Sequence, residues 1–247
     1  MSVADVADDI PTLLASANKL LMRGRYERAW PACEVLLAND WWRCHAVAGR
    51  VQLEWGKADA DHEKLKRAVN LLDAALTRLR DEKDPSAVDL AELCNDKGVA
   101  LYECDELGAA QAAYEEALIA LPDHERALCN MGLIHWARNH LRIALSYFDR
   151  AVASANSSNP HSLNNRGALR LEMLGEDDGP LAALPDFHAA VALDPFYAIA
   201  IRNRNGALES LKEPVPMAPV PECKTYRERE RPCSVPVGAP AALGCGA

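Results

Sequence analysis

Residues 98–151 repeat themselves with a spacing of 34 residues. The equivalent pairs are Gly98 and Gly132, Ala110 and Ala144, Tyr114 and Phe148, and Ala117 and Ala151. Within each copy, a small residue is followed by a second small residue, an aromatic residue and a third small residue. This order is typical of paired helices, because small side chains let the helix axes approach while an aromatic ring fills the space between turns. A repeat of this length predicts hairpins that bury their apolar faces by stacking.

The pattern resembles the tetratricopeptide repeat (TPR), in which Leu-Gly-x2-Tyr is followed by Ala-x3-Phe and then Pro. The resemblance covers most of residues 10–212 and is specific in its motifs over 91–159 and 183–195. It implies an all-α fold, a right-handed TPR superhelix (α-solenoid) of about five helical hairpins plus a capping helix.

The repeat frame divides the chain into hairpins that can be placed along the whole array. The expected units are approximately 10–41, 42–82, 91–124, 125–159 and 160–197, followed by a cap at 198–212. Two polar insertions, KADADHEKL and GEDDGPL, are expected as solvated loops in the second and fifth units. Residues 1–9 are predicted to be a flexible N-terminus. Residues 213–247 hold 7 of the 15 prolines without helical periodicity, which predicts a Pro-rich disordered tail.

The charge balance bears on the partners that the chain can take. Its 27 basic and 36 acidic side chains give a net charge of −9, which is unfavourable for binding nucleic acid. No stretch approaches the roughly 20 apolar residues that span a bilayer, and the acidic N-terminus does not resemble a secretory signal. We therefore expect a cytoplasmic protein with no nucleic-acid partner and no membrane insertion.

Motifs for catalysis, cofactors and metals are missing from the sequence. It contains no Gly-rich phosphate loop, no Gly-x-Ser-x-Gly and no His-Glu-x2-His. None of the eight cysteines forms a Cys-x2-Cys pair, and we expect reduced thiols. The acids of the two insertions lack a Ca²⁺-loop pattern. The sequence therefore predicts no catalytic residues, no cofactor and no metal, and a chain that is not an enzyme.

In TPR arrays the first helix of each hairpin lines a concave groove that commonly binds peptides or partner helices. The resemblance assigns twelve residues of this chain to that groove. They are Asn95, Tyr102, Arg126, Asn130, Leu133, Trp136, His161, Asn164, Asn165, Glu172, Arg202 and Asn203.

Three of these residues, Asn130, Asn165 and Asn203, fall at equivalent places of successive helices. They are similar to an asparagine ladder found in some TPR superhelices. Because a carboxamide both donates and accepts hydrogen bonds, the ladder could hold the main chain of an extended partner. Alternatively, these residues bond a neighbouring helix or turn and stabilise the stack. Trp136 with Leu133 likewise could form an apolar pocket, or Trp136 could lie in the core.

The function expected from the resemblance is protein–protein interaction: an adaptor, scaffold or assembly factor that receives an extended peptide or helix in the concave groove. The TPR subclass that clamps the C-terminal carboxylate of heat-shock chaperones is disfavoured, since only Asn130 matches its residue pattern. Two alternatives stay open. One is a secretion- or assembly-type chaperone that covers a specific client, and the other is a structural homo-oligomer.

Overall fold

The computed structural model describes residues 9–154 and 159–211. Those residues form ten α-helices and no β-strand, which confirms the predicted all-α class. The helices are α1 Ile10–Leu21, α2 Tyr26–Leu36, α3 Trp42–Asp59, α4 His62–Arg80, α5 Ala87–Glu103, α6 Leu107–Ala120, α7 Glu125–Ala137, α8 Leu141–Ser154, α9 Pro160–Leu193 and α10 Ala198–Ser210. The predicted tail 213–247, and residues 1–8 of the predicted flexible N-terminus, lie outside the described residues.

The chain divides into two compact units, Met1–Pro122 and Asp123–Ala247. In the first unit the hairpins α1–α2, α3–α4 and α5–α6 each pack closely, and every hairpin also contacts the next. In the second unit α7 packs on α8, α8 on α9, and α9 on α10. We call α1, α3, α5, α7, the N-terminal part of α9, and α10 the first helices, because each begins a hairpin or caps the array.

A glycine–aromatic contact fixes the spacing of the hairpin helices in the second unit. A Cβ atom added at Gly132 would lie 2.5 Å from a ring carbon of Phe148, and one at Gly167 would lie 2.8 Å from a ring carbon of Phe187. Both phenylalanine side chains are fully buried. Glycine is needed at these two places because the aromatic ring occupies the volume that any side chain would take. The residues that define the sequence repeat therefore touch in space.

The first two hairpins build the same contact from aliphatic and sulfur-containing side chains. Ala17 and Cys33, which replaces the usual aromatic residue, are both fully buried in one core cluster. In the next hairpin a Cβ at Gly49 would lie 2.8 Å from Leu72. These smaller partners explain why the repeat pattern is weaker in this part of the sequence.

Both polar insertions are helical, and the expectation that they form solvated loops is wrong. α3 extends to Asp59 and α4 begins at His62, so the first insertion supplies two helix ends. Asp61 caps α4 by accepting hydrogen bonds from the backbone N–H groups of Glu63 and Lys64, and Asp and Asn are favoured at such positions. The second insertion lies within α9, in which two helical segments meet at a kink: Gly175 has non-helical angles, with φ at 70° and ψ at −160°. The segments before and after Gly175 form the fifth hairpin, in which Gly167 faces Phe187.

Four of the described cysteines match the expectation of reduced thiols. Cys33, Cys44, Cys94 and Cys104 are free. Burial raises the pKa of Cys33 to about 12, which disfavours its reactive thiolate.

Candidate functional site

The twelve predicted groove residues lie on first helices in both units. Asn95 and Tyr102 lie on α5 of the first unit. The second unit carries the other ten on its three first helices: Arg126, Asn130, Leu133 and Trp136 on α7, His161, Asn164, Asn165 and Glu172 on α9, and Arg202 and Asn203 on α10. The second unit is therefore the part of the chain in which a site can be built from predicted residues.

Side-chain amides join the three first helices of the second unit. Asn203 Nδ2 donates to Asn164 Oδ1 at 2.9 Å. Asn164 Nδ2 lies 3.4 Å from Asn165 Oδ1, and Asn165 Nδ2 lies 3.4 Å from Cys129 Sγ. We call this set, Asn203, Asn164, Asn165 and Cys129, the amide chain. It runs from α10 through α9 to α7.

The amide chain lies below the surface. Asn164 and Asn165 have 0% exposure, and Asn130 is also buried. A buried carboxamide must find its partners inside the protein, because an unsatisfied polar group away from water costs about 1–3 kcal/mol. Asn164 and Asn165 therefore make the kind of contacts expected if the asparagine side chains stabilise the stack of helices. Asn203 is half-buried, so part of its side chain remains open to solvent.

Trp136 belongs to the core and at the same time positions a surface carboxylate. Its ring packs edge-on against Phe148, with centroids 6.1 Å apart, and only 4% of the residue is exposed. Its Nε1 donates to Glu172 Oε2 at 2.7 Å, although Glu172 itself is exposed. Leu133 is buried beside the same helix turn. A tryptophan N–H that finds a partner in this way holds the glutamate at a defined place on the surface.

The N-terminal ends of α7 and α9 contribute a second group of polar residues. His161 packs edge-on against Tyr197 at 4.7 Å, and burial lowers the pKa of the imidazole. Glu125, next to the predicted residue Arg126, accepts hydrogen bonds from Asn159 and Ser162. Arg202 is exposed on α10.

In the first unit, the equivalent part of α5 contains a charge pair. Arg50 Nε on α3 donates to Asp96 Oδ2 at 2.5 Å, and Asp96 is buried. Its neighbour Asn95 is buried as well. Burial raises the pKa of Tyr102 and of the adjacent Glu103, while Lys57 opposes the shift at Glu103. Within the first unit, the predicted residue Asn95 therefore lies in the interior beside a charge pair.

One open cavity in the second unit has a volume of about 320 Å³. Its lining residues are Leu171, Glu172, Gly175, Pro180 and Ser210. Sequence reasoning identified Glu172 and missed the other four. Leu171 and Ser210 belong to first helices, so the repeat frame could have suggested them. Gly175 and Pro180 come from the insertion, which the sequence had assigned to a solvated loop.

Among the described residues, no group of three or more His, Cys, Asp or Glu side chains is placed to hold a metal ion. In the same part of the chain, no helix is both long and apolar enough to span a bilayer.

Comparison with solved structures bears on the fold. PilF from Pseudomonas aeruginosa is 17% identical, and the match covers 85% of this chain and 87% of PilF with a TM-score of 0.64. BtubC (BKLC) from P. vanneervenii is 14% identical, with coverage of 83% and 85% and a TM-score of 0.56. YrrB, a TPR protein with an unusual peptide-binding site, is 17% identical over 78% of this chain and 90% of its own. The TM-score for YrrB is 0.49.

No protein-family model matches the sequence, and no curated protein matches it either. The likeness to PilF, together with the glycine–aromatic hairpins described above, defines a TPR-type α-solenoid fold, as the sequence predicts. Identities below 20% establish the fold and leave the function to be argued from the site.

Proposed function

We propose that this chain is a non-catalytic protein–protein interaction module, an adaptor, scaffold or assembly factor that receives an extended peptide or helix of a partner. The observation that carries the proposal is the open cavity of about 320 Å³ in the second unit, which is lined by residues of its first helices and of the second insertion. A concave, partly apolar surface with a few positioned polar groups is the usual form of a binding site. A stack of hairpins presents such a surface on a continuous core.

The interior of the second unit supports this proposal because it restrains the helices that would form the surface. The amide chain joins α10, α9 and α7. On α9, the buried carboxylate of Asp186 accepts hydrogen bonds from Arg166 at 2.6 and 3.0 Å and from Arg170 at 3.0 Å. A surface that is already ordered loses less conformational freedom on binding, and this favours affinity.

The predicted groove residues then divide by exposure into two roles. Exposed or half-buried residues would contact the partner directly; in the second unit these are Arg126, His161, Glu172, Arg202 and Asn203. Buried residues would support them; these are Asn130, Leu133, Trp136, Asn164 and Asn165. In the first unit, half-buried Tyr102 would take the contacting role and buried Asn95 the supporting one. The hairpin boundaries and the cytoplasmic location given above remain part of this proposal.

The proposal is tested by capturing partner proteins on variants in which one exposed arginine is replaced by glutamate. Immobilised full-length protein is compared with Arg202→Glu and with the matched control Arg142→Glu, which reverses an exposed arginine on α8, a second helix. Retained proteins are quantified by mass spectrometry. We expect partners that the wild type and Arg142→Glu retain equally and that Arg202→Glu depletes about fivefold, as at a residue that contributes to an interface. If neither substitution changes the amounts of the retained proteins, the proposal is contradicted.

The same samples separate the two alternatives. One client co-purifying in a fixed stoichiometric ratio would favour the secretion- or assembly-type chaperone. A mass that increases with concentration in light scattering would favour the structural homo-oligomer.

A further inference from the structure

The cavity in the second unit has apolar walls, because Leu171 and Pro180 line it. Leu174 and Leu181 are next to the lining residues Gly175 and Pro180 in the sequence, and they are 49% and 60% exposed. Large apolar side chains that stay exposed gain free energy when another apolar group covers them.

The charged residue that lines this cavity, Glu172, is an acid. The neighbouring residue Arg170 has its guanidinium bound to Asp186 and Asp149. The cavity wall therefore carries a carboxylate whose charge Arg170 does not pair.

The position of Glu172 is fixed by the core. Its Oε2 accepts the Nε1 hydrogen of buried Trp136, so the carboxylate is held at the cavity and does not sample the surface freely. The other oxygen, Oε1, can accept a hydrogen bond from a bound molecule. A positioned carboxylate of this kind favours cationic groups and selects against anionic ones.

The size of the cavity limits the bound group. A volume of about 320 Å³ is at the low end of the range, about 300–1,000 Å³, that holds small molecules. Because it is open to solvent on a helical surface, it suits one or two side chains of a longer chain.

We infer that the cavity receives an apolar side chain of a partner peptide in which that side chain is flanked by Lys or Arg residues. The apolar side chain fills the space between Leu171 and Pro180, and a flanking cation pairs with Glu172. The inference rests on the proposed function and specifies the chemistry of the partner at the α9–α10 end of the surface.

The test uses short fluorescein-labelled peptides and the full-length protein in fluorescence anisotropy. One peptide carries a central Leu-Leu pair between Lys-Lys flanks, the second replaces the flanks by Glu-Glu, and the third replaces Leu-Leu by Ser-Ser. We expect saturable binding of the first peptide only, with an affinity that falls as salt is added, because exposed charges are screened.

Variants of the protein locate the binding. Leu174→Ser with Leu181→Ser should raise the Kd about tenfold, since both leucines would lose apolar contact. The matched control is Ile143→Ser on α8, which removes a side chain of similar exposure, 47%, and should leave the Kd unchanged. Glu172→Gln keeps an oxygen for Trp136 but loses the charge, and should raise the Kd about threefold. Asp84→Asn, an exposed residue of the first unit, is its control.

Equal binding of the Lys- and Glu-flanked peptides, or equal effects of Leu174→Ser and Ile143→Ser, would overturn the inference. Absence of binding by all three peptides would overturn it as well. Circular dichroism and urea unfolding of each variant confirm that it is folded. If none of the peptides binds but Arg202→Glu still depletes captured partners, only the inference about the cavity is wrong. If Arg202→Glu has no effect on capture either, the proposed function is wrong as well.

Discussion

The two units use different chemistry to join consecutive first helices. In the first unit, Arg50 on α3 and the buried carboxylate of Asp96 on α5 form a charge pair. In the second unit, the equivalent residue Asn165 is neutral and belongs to the amide chain. A carboxylate taken out of water needs compensation by a cation such as Arg50, whereas an amide chain distributes its hydrogen bonds over several helices. Loss of a partner should therefore reduce stability more at Asp96 in the first unit than at Asn165 in the second.

The hairpins also differ in what fills the space between their two helices. Aromatic rings fill it in the third, fourth and fifth hairpins, with Tyr114, Phe148 and Phe187, while Cys33 and Leu72 fill it in the first two. An aromatic ring contributes more buried area than a cysteine, so an aromatic hairpin should lose more when this residue is truncated.

The largest expected effect comes from that truncation. Phe148→Ala should lower the free energy of unfolding by about 3–5 kcal/mol because it leaves a cavity beside Gly132. Cys33→Ala, at the equivalent place in the first hairpin, should cost only about 1 kcal/mol. Urea unfolding followed by circular dichroism measures both. Similar losses for the two variants would contradict the difference between aromatic and non-aromatic hairpins.

The next largest effect concerns the charge pair. Arg50→Met removes the Arg50 guanidinium from buried Asp96 and should cost about 2 kcal/mol, less than for a fully buried pair because Arg50 is one-third exposed. Adding Asp96→Asn should restore part of the loss in urea unfolding. If the double variant is less stable than Arg50→Met alone, the buried charge is not the cause.

A smaller effect is expected from the amide chain. Asn203→Ala removes the 2.9 Å hydrogen bond to Asn164 and should cost about 0.5–1.5 kcal/mol in the same urea assay. Arg202→Ala, at the exposed neighbouring position, is the control and should stay within about 0.5 kcal/mol of the wild type. Equal costs at the two positions would mean that the amide chain adds nothing to stability.

The smallest effect depends on pH. Burial raises the pKa of Glu103 above its ordinary value of 4.5, so the folded state binds a proton more tightly than the unfolded state. Its contribution to stability therefore falls as the pH rises from 4.5 through the raised pKa. Glu103→Gln should slightly stabilise the protein at pH 7 relative to the wild type and lose that advantage near pH 4. Urea unfolding at pH 7 and at pH 4 measures the effect. If Glu103→Gln destabilises the protein at pH 7, burial of the charged carboxylate is not the cause of the raised pKa.

The sequence predicts the hairpins well because Gly132 and Phe148 encode a contact inside one hairpin. It predicts the amide chain less well. The repeat frame makes Asn165 and Asn203 equivalent, yet Asn203 bonds Asn164, because side chains of adjacent helices meet according to how the helices pack and not according to their repeat position. The cavity was missed for a similar reason. Gly175 interrupts α9 in a left-handed conformation, and tertiary packing overrides the loop-forming character of its neighbours.

The glycine–phenylalanine contacts have a consequence for how the array tolerates changes in length. Gly132 and Phe148 are 16 residues apart, whereas Gly167 and Phe187 are 20 apart, because the fifth hairpin carries extra residues between its helices. The close fit is nevertheless retained, since an added Cβ would lie 2.5 Å from the ring in one hairpin and 2.8 Å from it in the other. A turn can therefore gain residues without altering the fit of its own helices. In this hairpin the added residues include Gly175 and Pro180, so a length change at a turn supplied part of the wall of a new cavity.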